Sequence, residues 1–246
     1  MKTTKNTILI TGGGSGIGFE IAKLLSPDNQ IIITGRNADK INKAASQLQN
    51  TTAIASDITN GEDVDALVSN LKKDFPDLNI LINNAGNASY YSLQAPEVDA
   101  FSKASDEINT NYLSVIRLTE KLLPVLASQP ESAIVNVSSI VAFVPGKNLP
   151  TYSASKAALH SYTQSLRLTL EGTSVKVFEL MPPLVNTEFS KEIGGENGLD
   201  PEVLATELKT AFETDNYEIR VGQTADMFAL FHSAPDEALA VMNQNR

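Results

Sequence analysis

The architecture of this chain turns on Thr11-Gly12-Gly13-Gly14-Ser15-Gly16-Ile17-Gly18, five glycines in eight residues. They follow a β-branched run, Thr7–Thr11 (TILIT), and open a helix-period stretch over residues 15–25. Between a strand and a helix, such glycines let the backbone approach a pyrophosphate, and the helix N-terminus offers N–H groups and the positive end of its dipole. The spacing is informative. GxGxxG is not met, because its last position falls on Ile17 when counted from Gly12 and on Phe19 when counted from Gly14. What stands is TGxxxGxG, on Thr11, Gly12, Gly16 and Gly18. No Gly-Lys-Ser/Thr follows, which excludes a P-loop. Ile17 stands where a GxSxG nucleophile elbow around Ser15 needs its second glycine.

Downstream the pattern of that first unit repeats. Short, continuously apolar runs at residues 30–34, 52–55, 79–82, 133–138 and 174–180 read as strands buried on both faces of a parallel sheet. Amphipathic segments lie between them. Ile41, Ala44, Ala45 and Leu48 fall at i, i+3, i+4 and i+7, as do Val64, Leu67, Val68 and Leu71. Residues 97–127 read as one long helix ending near Pro124, and residues 151–171 as another. Alternating β and α units predict an α/β fold with a Rossmann-type doubly wound parallel sheet of about seven strands and helices on both faces. Residues 182–200, with two prolines and three glycines, read as a substrate loop or lid hinged at Gly194-Gly195. Residues 201–215 read as a helix, 217–221 as an edge strand and 224–243 as one or two short helices. No linker or repeat divides residues 1–246, so one domain is expected.

Composition narrows the function. The 246 residues are 42% hydrophobic and 20% charged, with no cysteine and two histidines, His160 and His232. Disulfides, Cys-zinc sites and Cys nucleophiles are excluded, and no metal site is expected. The net charge is −10. Residues 188–246 hold twelve acids against four basic residues, while residues 1–187 are close to neutral. No basic patch exists to neutralise a run of phosphates, so nucleic-acid binding is not expected. No secretory h-region or run of about 20 apolar residues is present, so a cytoplasmic protein without membrane insertion is expected.

Three further groups carry chemistry. The second strand ends in Thr34-Gly35-Arg36, where NAD-binding folds usually place an acid for the ribose 2′-OH. A guanidinium pairs with a 2′-phosphate and a carboxylate repels it, so NADP(H) is favoured over NAD(H), unless Arg36 is only a solvated cation. Asp57 follows the third strand, as an adenine contact or a turn cap, and Asn83-Asn84-Ala85-Gly86 follows the fourth. Tyr152 and Lys156 lie at i, i+4 on one helix face, after Ser138-Ser139 at a strand's carboxyl end. A free phenol is protonated at pH 7. A nearby ammonium and a cationic nicotinamide favour phenolate, which makes Tyr152 a candidate acid/base.

Together these residues resemble the classical short-chain dehydrogenase/reductase family, from Thr11 to Thr187. The resemblance implies that Gly12, Gly16, Ile17 and Gly18 line the dinucleotide. It puts Arg36 at the 2′-phosphate, Asp57 and Ile58 at the adenine, and Asn84, Ala85 and Gly86 along the adenosine. Pro182, Val185 and Thr187 serve the carboxamide. Ser139 orients the substrate oxygen, Tyr152 is the acid/base, Lys156 binds the nicotinamide ribose, and Asn111 holds a water in a proton relay. It implies a carbonyl or alcohol substrate and a homodimer or homotetramer. Tyr112, Val115 and Ile116 on one helix, and Leu159, Tyr162 and Leu166 on the next, would supply the shared faces. One departure is Pro183, where the family usually has Gly; it removes an N–H and fixes φ. This Pro-Pro pair, with Tyr217-Glu218-Ile219, resembles the bacterial DltE-like oxidoreductases within the family. The competing expectations are a dinucleotide-binding regulator without turnover and, more remotely, another Rossmann-like enzyme such as a methyltransferase.

Overall fold

A computed structural model describes residues 1–244; Asn245 and Arg246, counted above in the domain and the charge, lie outside the described residues. Seven strands form one sheet: β1 (Thr7–Thr11), β2 (Gln30–Gly35), β3 (Thr51–Ala55), β4 (Leu78–Asn83), β5 (Ser132–Val137), β6 (Val175–Met181) and β7 (Glu218–Arg220). Their order is β3-β2-β1-β4-β5-β6-β7, and every pairing is parallel. The strands sit within a residue or two of the apolar runs.

The sheet is covered on both faces, and the alternation within β1 shows why. Ile8 and Ile10 pack with Ile21 and Leu25 of α1 (Gly16–Leu25), Ile41 of α2 (Ala38–Ala45) and Leu208 and Phe212 of α7 (Pro201–Thr214). Leu9 faces the other way, into a layer built by α3 (Gly61–Asp74), α5 (Ser114–Ala127) and α6 (Pro150–Thr169), with Leu67, Leu122 and Leu166. Since side chains alternate across a strand, an all-apolar strand needs two such layers.

Residues 97–127 are not one uniform helix. α4 (Ala100–Ile108) passes into a π-helical segment, Asn109–Leu113, before α5. Nor does the helix end at Pro124, which lies inside α5 on its exposed face. Glu120, whose carbonyl loses its partner N–H to the proline, is likewise an exposed residue, so the helix bears the proline on its solvent side. After β6, residues 188–193 and 195–197 form two 3₁₀ turns. The chain then makes α7, β7, α8 (Gln223–Ser233) and α9 (Pro235–Asn243). Strand order reverses between β1 and β4, and ligands bind such sheets at the carboxyl ends beside that switch point.

Candidate functional site

A cleft of about 1090 Å³ opens there. The Gly-rich turn forms its floor. Gly12 and Gly16 have φ of +66° and +57°, a region that favours glycine. A Cβ on Gly16 would lie 3.1 Å from Thr187 Cγ2. Thr11 staples this turn to the chain after β4: its Oγ1 accepts the N–H groups of Asn84 and Ala85, both at 3.0 Å. Asn84 Nδ2 returns bonds to the Thr11 and Gly12 carbonyls at 2.9 and 3.2 Å. Its amide therefore braces the turn. Gly18 does not line the cleft; a Cβ there would meet that same amide at 2.5 Å, so it serves close packing. The Ser15 side chain does not cap α1, which leaves first-turn N–H groups for an anion.

Farther along, Arg36 and Lys40 line the cleft beside Asp57 and Ile58. Partial burial pushes the Asp57 carboxyl up, but bonds from the Thr59 hydroxyl and N–H at 2.7 and 2.9 Å and the Arg36 guanidinium outweigh it and hold it below its usual range. Asp57 thus caps its turn and lines the cleft at once.

At the other end, Tyr152 and Lys156 project from α6 toward Ser139, all three lining the cleft. Lys156 Nζ lies 5.6 Å from the Tyr152 ring centroid and donates to the Val137 carbonyl at 2.9 Å. Burial pushes the Tyr152 phenol well above its usual range; the Ser139 hydroxyl opposes this, and the Glu107 carboxylate adds to it. The lowered phenol expected from the Tyr/Lys spacing is not what the protein alone produces. Burial also lowers Lys156, to about 8, against the raising effect of Glu179. A protonated phenol beside a hydroxyl is a proton donor for an oxygen bound between them.

Asn111 lies behind the cleft. Its side chain accepts from Asn87 N–H at 2.8 Å and donates to the Asn87 carbonyl at 2.7 Å and Ser155 Oγ at 2.9 Å. One turn earlier, Glu107 is fully buried and accepts from Ser89 N–H at 2.6 Å. The two side chains hold residues 87–89, part of the wall. Glu107 escaped the sequence pattern, because a lone acid on an amphipathic helix looks solvated until the loop folds over it.

Pro182, Val185 and Thr187 line the cleft. The Pro182 carbonyl accepts from Ile140 N–H at 2.9 Å. A bridge pairs Val185 with Leu199 through the N–H groups of Asn186 and Leu199, so it does not use the Val185 N–H. The Thr187 hydroxyl is 3.2 Å from Ser190 Oγ. Gly195 is buried, and a Cβ there would fall 2.3 Å from Ser190 Oγ, so this glycine is a packing position. Phe143 and Val144 are turned away from the cleft: Phe143 stacks edge-on to His160 and Phe228 at 5.1 Å, and Val144 is in the core. The apolar wall includes Met227, Leu230 and Met242 of α8 and α9.

Two buried hydroxyls in the cleft wall, Thr34 Oγ1 and Ser138 Oγ, have no partner among the described residues. With the Gly-rich floor and the uncapped α1, they fit a long polar ligand laid across the carboxyl ends of the strands. The short chain dehydrogenase family model matches residues 6–198. The chain belongs to the short-chain dehydrogenase/reductase family. Among its relatives, the uncharacterized oxidoreductase DltE of Bacillus subtilis (strain 168) is 40% identical over 200 residues, 81% of this chain and 79% of that one. An uncharacterized oxidoreductase of Staphylococcus aureus (strain N315) is 33% identical over 207 residues, 82% of this chain and 88% of that one. Two solved family structures share the fold. A short-chain dehydrogenase/reductase of Burkholderia phymatum in complex with NAD has a TM-score of 0.88 at 20% identity, with 96% of each chain covered. A short-chain dehydrogenase of Burkholderia cenocepacia in complex with NADP has a TM-score of 0.85 at 25% identity, with 98% of each covered. Like members of this family, the chain is an oxidoreductase by descent, and no helix among the described residues is long and apolar enough to cross a membrane.

Proposed function

We propose that this short-chain dehydrogenase/reductase reduces a small-molecule carbonyl compound to an alcohol with NADPH in the cytoplasm. The observation that carries it is the joint placement of Ser139, Tyr152 and Lys156 at one end of a cleft whose other end holds Arg36 and Lys40. The nicotinamide, when bound, supplies the hydride. Gly12, Gly16 and Ile17 with the α1 N-terminus hold the pyrophosphate, and Gly18 lets Asn84 brace their turn. Arg36 pairs with the 2′-phosphate, joined by Lys40, which favours NADP(H) over NAD(H). Asp57 and Ile58 flank the adenine, Ala85 and Gly86 the adenosine, and Pro182, Val185 and Thr187 the carboxamide.

Ser139 donates to the substrate oxygen and Tyr152 gives that oxygen its proton. Burial keeps the phenol protonated at neutral pH, the form that can give a proton to a carbonyl oxygen. Lys156, anchored on Val137, holds the ribose and stabilises the phenolate left behind. Asn111 positions residue 87 of the wall. The loop over residues 182–200 covers the substrate, and the whole chain acts as one domain that assembles into a homodimer or homotetramer.

Binding of NADPH and NADH, followed by cofactor fluorescence because the chain has no tryptophan, tests the first half. NADPH should bind at least tenfold tighter, and Arg36→Ala should erase most of the difference. Tyr152→Phe tests the second half: it should keep NADPH binding and lower turnover of a carbonyl panel by 100-fold or more, in line with general acid catalysis. Binding with no turnover of any carbonyl by the unaltered protein would leave a dinucleotide-binding regulator.

A further inference from the structure

Charge is divided along the cleft. At the adenosine end the lining cations are Arg36 and Lys40. Beyond Tyr152, the charged lining side chains among the described residues are all carboxylates: Glu188, Glu192 and Asp226. None of them is in an ion pair among the described residues, and all three are exposed. Lys191, on the same segment, is not part of the lining.

Between these acids and Tyr152 the walls are apolar. Tyr152 belongs to a cluster with Leu149 and Met242, against which Ile193, Met227 and Leu230 pack. Phe189 lies with its ring centroid 6.2 Å from that of Tyr152, yet is 53% exposed. A phenylalanine left half open beside a buried phenol is apolar surface awaiting cover, which a ligand in the chamber would provide.

We infer that the substrate is a carbonyl compound with an apolar body and no negative charge. Its oxygen sits at Ser139 and Tyr152, and its body lies between Phe189 and the Met227–Met242 wall. This rests on the carbonyl-reduction reading above. In the step, hydride from NADPH forms the new C–H bond at the carbonyl carbon. The C=O π pair becomes the O–H bond with the proton of Tyr152, and the dinucleotide leaves oxidised. A carboxylate or phosphate on the substrate body would enter the field of three carboxylates with no cation in the described lining beyond Tyr152 to pair with it. Keto acids and phosphorylated carbonyl compounds are thereby excluded, and a cationic group is tolerated or preferred.

The test uses three benzaldehydes that differ at the 4-position: isopropyl, carboxylate and trimethylammonium. With NADPH-loaded protein, kcat/KM for the carboxylate should be at least 30-fold below that for the isopropyl compound, and the trimethylammonium compound should match or exceed the latter. The triple substitution Glu188→Gln, Glu192→Gln, Asp226→Asn should shrink the carboxylate-to-isopropyl ratio about tenfold, and raised salt should act in the same sense because exposed charges are screened. Binding of each aldehyde to the loaded protein, read by the shift in thermal midpoint, should follow the same order. Equal use of carboxylate and isopropyl compounds, or a ratio untouched by the triple substitution, overturns the inference. So does failure of the isopropyl compound to bind. If all three bind in the stated order and none is turned over, the charge selection stands and the reductase reading falls.

Discussion

Tyr152 and Lys156 are both titratable and both buried, and burial moves their titrations apart. It raises the phenol and lowers the ammonium to about 8, because in each case it disfavours the charged form. In the protein alone, Lys156 therefore titrates before Tyr152 as pH rises. NADPH affinity should weaken above pH 8 with a midpoint near that value, as the ribose loses its ammonium partner. Lys156→Arg, with a guanidinium that stays charged, should move this alkaline limb beyond pH 10. Titration of the NADPH Kd against pH reads both, and a limb left at pH 8 in the Arg variant would assign it to another group. Stability runs the opposite way. An unfolded lysine holds its proton up to about 10.5, whereas the folded one releases it near 8. Between those values the unfolded chain binds more protons, so the contribution of Lys156 to stability rises with pH through that window. The site keeps its ammonium at neutral pH against a desolvation cost.

At the scale of elements, the π-helical segment Asn109–Leu113 places Asn111 where its amide holds both backbone groups of Asn87 and Ser155 Oγ. Asn111→Leu fills the space but leaves buried polar groups unmet. At about 1–3 kcal/mol for each unsatisfied group, a total near 3 kcal/mol is expected. Urea denaturation should show it as a lower midpoint with an unchanged m-value, and turnover should fall with the loosened wall. This element also marks where sequence stops being informative. The strands were legible because an apolar run such as Ile8-Leu9-Ile10 needs a layer on each face, and the Gly-rich turn because only glycine suits Gly12 and Gly16. A π-turn adds one residue to a ladder and barely disturbs the apolar period, so residues 97–127 looked uniform. The hydrogen bonds of Asn84 and Glu107 depend on loops brought from far along the chain. The α8–α9 wall was hidden for the same reason, since Met227 and Met242 read as ordinary apolar residues until they meet Tyr152. The Tyr152 shift depends on burial, which a spacing of i, i+4 does not record.

For the whole molecule, the same limit bears on assembly. The faces expected to be shared between subunits are largely used within one chain: Val115, Leu159 and Leu166 are buried in it. What stays uncovered on this side is a different set. Phe101 of α4 is 84% exposed, Leu168 of α6 is 73% exposed, and Leu113 of the π segment is 46% exposed. Tyr112 and Tyr162 meet edge-on at 6.1 Å, tying the π segment to α6. Scattered exposed apolar side chains are ordinary, but three large ones on adjoining helices of one layer are what a subunit contact would cover. The net charge of −10 opposes association in general, so a contact must be local and apolar to hold. Light scattering at assay concentration should therefore give at least a dimer. Leu113→Glu with Leu168→Glu should yield a monomer that keeps its far-ultraviolet circular dichroism, because neither side chain is in the core. A wild-type monomer would remove the proposed assembly. A double variant still dimeric would move the contact to another face while leaving the cleft, built within one chain, as described.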